Sequence, residues 1–222
     1  MDKSPAQAVY LALQTVADPV KAPQMAAYMK DQFPFLGVQT PLRRQVTKEI
    51  VSNLKKQTST ISWSFVHDLY QYPYRECHQV ALDYLDKVKG RLTYDHVPEL
   101  LQLASRHQWW DSIDRLDRLI GSIGLEDPRI DTLMLELAQH PNFWMRRLAI
   151  DHQIGRKEKT KPDLFAQIIY LNLGQEEFFI NKAIGWSLRE YAKTDPEWVR
   201  DFIKQKPKGL SPLSIREASK HL

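Results

Sequence analysis

The strongest constraint in this 222-residue chain is the recurrence of apolar residues at three- and four-residue spacing almost end to end. No segment alternates as a half-buried strand would. The spacing predicts helices near 4–16, 19–32, 40–56, 60–71, 74–89, 94–106, 109–122, 128–139, 142–155, 161–173, 176–193, 196–205 and 211–221. Several starts carry a capping-type residue followed by proline: Ser4-Pro5, Asp18-Pro19, Thr40-Pro41, Asp127-Pro128, Asp195-Pro196 and Ser211-Pro212. In such pairs the first side chain accepts from free N–H groups of the first turn, and proline, lacking an N–H, sits where none is needed. Connections are short and no Gly/Ser linker divides the chain, so a single domain over residues 1–222 is expected.

Short helices without strands bury their apolar faces by stacking as hairpins. A faint repeat supports this. The windows Glu76-Cys77-His78-Gln79-Val80-Ala81-Leu82, Trp144-Met145-Arg146-Arg147-Leu148-Ala149-Ile150 and Phe178-Phe179-Ile180-Asn181-Lys182-Ala183-Ile184 align on their alanines. Ala149 and Ala183 are 34 residues apart, and Ala81 and Ala149 are 68 apart. Tetratricopeptide repeats share that period, but their Trp-Leu-Gly-Tyr signature is missing. The expected fold class is all-α: a curved α-solenoid of HEAT-like helical hairpin repeats whose second helices line a concave face.

Composition excludes several function classes. Cys77 is the lone cysteine, so there is no internal disulfide and no cysteine-based zinc cluster. The seven histidines form no close pair at ligand spacing on one helix, and neither a Gly-Lys-Ser/Thr phosphate loop nor a Gly-x-Ser-x-Gly elbow is present. No metal and no cofactor are expected. The start, Met1-Asp2-Lys3-Ser4-Pro5, lacks the basic and apolar regions of a leader, and no run of apolar residues is long enough for a membrane span. The expected setting is the reducing cytoplasm, with no membrane partner. Net charge is +4, and it is clustered: residues 40–59 (Arg43, Arg44, Lys48, Lys55 and Lys56 against Glu49) and residues 141–162 (Arg146, Arg147, Arg156, Lys157, Lys159 and Lys161 against Asp151 and Glu158) each carry a net +4. Clustered cations suit a surface that tracks phosphates.

Two stretches carry candidate chemistry. In Trp109-Trp110-Asp111-Ser112-Ile113-Asp114, Trp110 and Asp114 lie four apart and share one helix face. An indole beside a carboxylate suits a cation, or a sugar that becomes cationic as a bond breaks. The competing reading packs the tryptophan between helices and pairs Asp114 with Arg115, Arg118 or another cation; Trp109, five from Asp114, is the better core candidate. In the second stretch Phe179, Lys182, Trp186, Arg189 and Lys193 form one helical stripe, with Gly185 expected to clear space beside the Trp186 indole. Rings interleaved with cations are what a nucleic-acid surface uses, although a buried tryptophan flanked by snorkelling cations shows the same pattern. Of the adjacent Arg146 and Arg147, at most one faces a groove centre, because neighbours on a helix point about 100° apart.

These stretches, with Phe35-Leu36-Gly37-Val38-Gln39-Thr40-Pro41 and Leu213-Ser214-Ile215-Arg216-Glu217-Ala218, resemble the AlkD family of alkylpurine DNA glycosylases across nearly the whole chain. The resemblance implies a HEAT-like solenoid that grips double-stranded DNA and removes N3- and N7-alkylated purines without flipping the base, leaving an abasic site. It implies Asp114 as the catalytic carboxylate and Trp110 and Trp186 flanking the lesion. Arg147 and Arg189 would hold phosphates, aided by Lys193, Arg44, Gln39, Thr40 and Tyr28; Lys182 belongs to the same cationic stripe. A solenoid whose groove holds a duplex can act as a monomer. The alternative is a non-catalytic HEAT-repeat binder of structured or damaged DNA, and a protein-interaction scaffold is a third reading that the basic clusters disfavour.

Overall fold

The structure, a computed structural model, describes residues 3–205 and 208–222. Among them are thirteen α-helices, four short 3-10 turns and no strand, which fits an α-solenoid of helical repeats. Contacts divide the chain into two compact units, residues 1–92 and 93–222. None of the described helices is long and apolar enough to cross a membrane.

The first unit contains α1 (Pro5–Gln14), α2 (Lys21–Tyr28), α3 (Thr40–Gln57), α4 (Trp63–Gln71) and α5 (Arg75–Val88). The Ser4 hydroxyl caps α1 by accepting from the Gln7 N–H at 3.2 Å, and α1 packs on α3, α4 and α5. Helix α2 is shorter than its apolar pattern because Lys30 and Asp31 adopt left-handed φ angles of 56° and 55°, which a right-handed helix cannot continue through. The loop that follows is pinned by the fully buried Glu76. Its carboxylate accepts from the backbone N–H groups of Leu36, Gly37 and Val38 at 3.0, 2.9 and 3.0 Å. Gly37 has φ of +84°, and a Cβ there would lie 2.1 Å from the Asp18 carbonyl oxygen, so glycine alone fits. This anchor fixes Gln39 and Thr40 at the entry to α3.

The second unit contains α6 (Val97–Ala104), α7 (Trp110–Ile123), α8 (Arg129–Leu137), α9 (Phe143–Asp151), α10 (Pro162–Tyr170), α11 (Phe178–Ala192), α12 (Pro196–Lys204) and α13 (Pro212–Ala218). Helices α7, α9, α11 and α13 pack one on the next; α6 lies against α7, α8 against α7 and α9, α10 against α8 and α9, and α12 against α11. The row is held by Ile113, Leu116, Leu148, Ile184 and Leu188, all fully buried, at about 1.5–3 kcal/mol for each such side chain. Polar side chains mark the repeat as well. Asn142 donates to Gln108 Oε1 at 2.9 Å and Asn172 donates to the Ala138 carbonyl at 3.0 Å, each joining residues 34 apart. Ala149 and Ala183, aligned in the repeat, are both fully buried. Helix α9 stops at Asp151, short of the expected 155. His152 turns its Nδ1 onto the Ala149 carbonyl at 2.7 Å, and Gly155 reverses the chain at φ +85°.

Gly185 serves a different purpose from the one its position beside Trp186 suggested. A Cβ on it would lie 2.6 Å from Glu217 Cβ and 2.9 Å from the Ser214 carbonyl oxygen. The missing side chain is the space that α13 occupies. Gly185→Ala raises helix propensity, yet it is expected to destabilise the fold by about 1–3 kcal/mol because the crossing is overpacked. A urea melt reads this as a lower midpoint at unchanged slope; a stabilised variant would mean that α13 does not dock this closely.

Candidate active site

Helix α7 carries its apolar residues on one face, and Asp114 and Asp117 fall among them, 8% and 0% exposed. A carboxylate so placed must find a partner or give up its charge. Asp114 finds one on the next helix of the row. Arg147 of α9, itself 3% exposed, donates Nε to Asp114 Oδ1 at 2.8 Å and a terminal nitrogen to Oδ2 at 2.9 Å. This is the two-pronged geometry in which guanidinium–carboxylate bonds are strongest. The other terminal nitrogen donates to the Phe179 carbonyl at the start of α11, at 2.8 Å. Asp151, one turn along α9, lies 3.5 Å from the guanidinium and accepts from the Ser187 hydroxyl of α11. One guanidinium thus ties α7, α9 and α11 together.

The carboxyl groups respond to this crowding. Burial pushes Asp114 up from the usual range, while the Arg147 contact pulls it back. Burial, opposed by Arg147 and reinforced by Asp114, takes Asp151 up to about 6. Asp117, with neither oxygen hydrogen-bonded, is raised well above its ordinary value by burial first and then by Asp114 and Asp151. Burial works against the charge on Arg147, but Asp151 and Asp114 outweigh it and hold the group firmly protonated. Among the described residues, Asp114, Asp117 and Asp151 are the group whose ligand atoms, all within 4.8 Å of one another, are close enough to share an ion. The Arg147 guanidinium already takes a cation's place against two of them.

The aromatic residues divide into two sets. Trp109 joins a cluster with Trp144 and Phe179, at centroid distances of 5.6 and 5.3 Å, as its spacing from Asp114 suggested. Trp110 and Trp186 are half-buried. The Trp186 ring lies 5.9 Å from the Arg147 guanidinium carbon and 5.8 Å from that of the exposed Arg118, within reach of cation–π attraction. Asp114, Arg147 and Trp186 therefore meet, with Trp110 one turn before Asp114 on α7.

The expected phosphate-holding residues are placed unevenly. Arg147 is buried and its guanidinium is committed to Asp114, Asp151 and Phe179, so the structure gives it a helix-tying place. Arg146 is half-buried and bonds the His140 carbonyl and Gln175. Lys182 and Arg189 both bind the nearly buried Glu217, at 2.9 and 3.3 Å, and Lys193 bonds Glu190 at 2.7 Å. In the first unit Tyr28, Gln39 and Thr40 line one depression of about 370 Å³ with Lys21 and Gln24, and Arg44 lies one turn along α3, bonded to Asp83 at 3.3 Å. Arg43 is buried against the same Asp83. The basic clusters therefore hold less free charge than their residue counts imply, since Arg43, Arg147 and Arg156 are all buried.

Asp117, Asp151, Ser187 and Glu217 belong to these networks and were not singled out from the sequence. A signal existed for two of them: Asp117 stands three residues from Asp114, and Asp151 four from Arg147, both helix-face spacings. Ser187 has no such spacing, and Glu217 stands only within the Leu213–Ala218 stretch, with nothing in it to mark its role. Hydrogen bonds from Lys182 and Lys220 hold Glu217 down to about 2. A carboxylate lowered on folding stabilises the protein above its ordinary value near 4.5 and loses that effect as pH falls to about 2. Glu217→Gln is expected to melt below wild type at pH 7, with the gap closing across that acid window. Thermal melts across the window check it; a constant gap would mean that the ion pairs do not carry the effect.

A family model described as DNA alkylation repair enzyme matches residues 9–222. A solved structure from Enterococcus faecalis, described as a predicted DNA alkylation repair enzyme, is similar at TM-score 0.85 and 35% identity, over 93% of this chain and 96% of that one. No curated protein matches the chain significantly.

Proposed function

The chain belongs to the DNA alkylation repair enzyme family, and we propose that it is a monofunctional DNA glycosylase that hydrolyses the N-glycosidic bond of N3- and N7-alkylated purines in duplex DNA. The observation that carries the reading is the Asp114–Arg147 pair, set one turn from Trp110 and beside Trp186. Resemblance to the AlkD glycosylases at the same residues supports it.

The chemistry follows from the substrate. An N7- or N3-alkylated purine is already cationic, so it departs as a neutral base and needs no acid to protonate it. Positive charge then develops on the sugar. Asp114 stabilises that charge and orients the attacking water. Each of its oxygens has one lone pair engaged by Arg147 and keeps another free. Arg147 fixes the carboxylate's orientation and opposes its protonation. The indoles of Trp110 and Trp186 add cation–π stabilisation of about 0.5–2 kcal/mol each. Arg44, Gln39, Thr40, Tyr28, Lys182, Arg189 and Lys193 contact the DNA backbone, and the protein acts as a monomer, without base flipping, in the cytoplasm beside the chromosome.

Release of free base from duplex DNA carrying 7-methylguanine is the test. Wild type is expected to release it in the presence of EDTA. Asp114→Asn is expected to lose about 10²–10³-fold, with circular dichroism confirming that the variant folds, and Trp186→Ala to lose less. Full activity in Asp114→Asn would overturn the assignment; tight binding without release by wild type would make the protein a non-catalytic binder.

A further inference from the structure

Asp117 has no place in the chemistry above, yet it lies at the centre of the buried network. It is fully buried on α7, one turn after Asp114. Its two oxygens have no hydrogen-bond partner, and an oxygen of it lies within 4.8 Å of those of Asp114 and Asp151. The one buried guanidinium among these carboxyl groups, Arg147, is spent on the other two and on the Phe179 carbonyl. The charged groups acting on Asp117 are Asp114 and Arg118 from its own helix and Asp151 and Arg147 from α9. Helix α11 supplies the neutral Ser187 hydroxyl, to Asp151, and the Trp186 ring, near Arg147 and Arg118.

We propose that Asp117 is a positioning residue that works as a neutral carboxylic acid, and that its proton is what leaves Arg147 free to hold Asp114. Electrostatics favours this arrangement. An unpaired ionised carboxylate away from water is costly, and the cheaper state is the protonated one. Ionised, Asp117 would add a further negative charge beside Asp114 and Asp151 and compete with them for the guanidinium, loosening the two-pronged bond. Its raised affinity for a proton, caused by burial and by the neighbouring carboxylates, agrees with the geometry. The positioning role rests on the glycosylase reading; the protonation state does not.

Two measurements need no substrate. Isotope-edited infrared spectra at pH 7 should show a protonated-carboxyl band in wild type that disappears in Asp117→Asn. In thermal melts, a carboxyl group raised on folding favours the folded state at low pH, and that contribution is lost as pH climbs from about 4, the unfolded value, toward the folded one. Asp117→Asn removes the loss, so it should melt above wild type at pH 8 and converge with it near pH 4. The third measurement is enzyme-dependent release of 3-methyladenine from duplex DNA as a function of pH. Asp117→Asn should move the alkaline fall of wild-type activity to higher pH, whereas a merely structural role would lower release equally at all pH values. Absence of the acid band, or an unchanged pH slope of stability, would overturn the proposal. So would wild-type stabilisation by Mg²⁺ that Asp117→Asn abolishes, since a bound cation would then balance the charge. If wild type released no base at all, the glycosylase reading would fail while the infrared and melting results still decided the state of Asp117.

Discussion

Arg147 is the group on which the second unit turns. It sits on α9, the middle of three successive helices, and reaches a carboxylate on α7, a carboxylate on its own helix and a main-chain carbonyl on α11. Removing it would leave Asp114 and Asp151 buried without the guanidinium that touches them, the costly way to break a buried pair. A buried ion pair adds little net stability compared with apolar residues of the same shape. What this one supplies is geometry: it sets the angle and register at which Asp114 is held, and it opposes the rise in proton affinity that burial imposes on that carboxyl group.

The aromatic cluster of Trp109, Phe143, Trp144 and Phe179 complements that arrangement. It packs the N-terminal ends of α9 and α11, close to the Phe179 carbonyl that receives the third bond from Arg147. Arg147 is itself buried, and away from water each of its polar contacts is stronger. The close crossing at Gly185 plays a similar part farther along the row. It draws α13 in until Glu217 can gather Lys182, Arg189 and Lys220. Cations that look free along one helix stripe are thus held in place by a single acid from another helix.

The DNA alkylation repair enzyme family, matched over residues 9–222, gives these networks a context: DNA is the partner the family implies. A phosphate-binding surface works best when its cations are pre-placed, because ordering a long side chain on binding costs free energy. Arg189, half-buried against Glu217, and Arg44, tied to Asp83, are each held in place by an acid of the protein itself. Arg147 differs from them in being buried as well as paired.

Much of the fold was legible in the residues alone. Helices are written in short-range patterns of apolar spacing, capping side chains and prolines, and the thirteen helices appear where those patterns lie. Their errors fall at ends set by left-handed residues such as Lys30 and Asp31 or by a tertiary turn such as that after Asp151. The 34-residue spacing of Ala149 and Ala183 likewise reflects a packing rule each helix meets separately. Which charges stay free is a different kind of fact. Arg146 and Arg147 are the same residue type side by side, yet one bonds loop groups at a half-buried position and the other is sealed between two aspartates. Asp114 and Asp117, one turn apart on one helix, end with opposite fates because a guanidinium reaches the first and not the second. Sequence by itself determined the helices and the residues able to do chemistry, because those depend on near neighbours along the chain. Only the tertiary structure decided which of those residues are paired, buried or exposed, because Coulomb interaction and desolvation depend on distances between helices that no local pattern records.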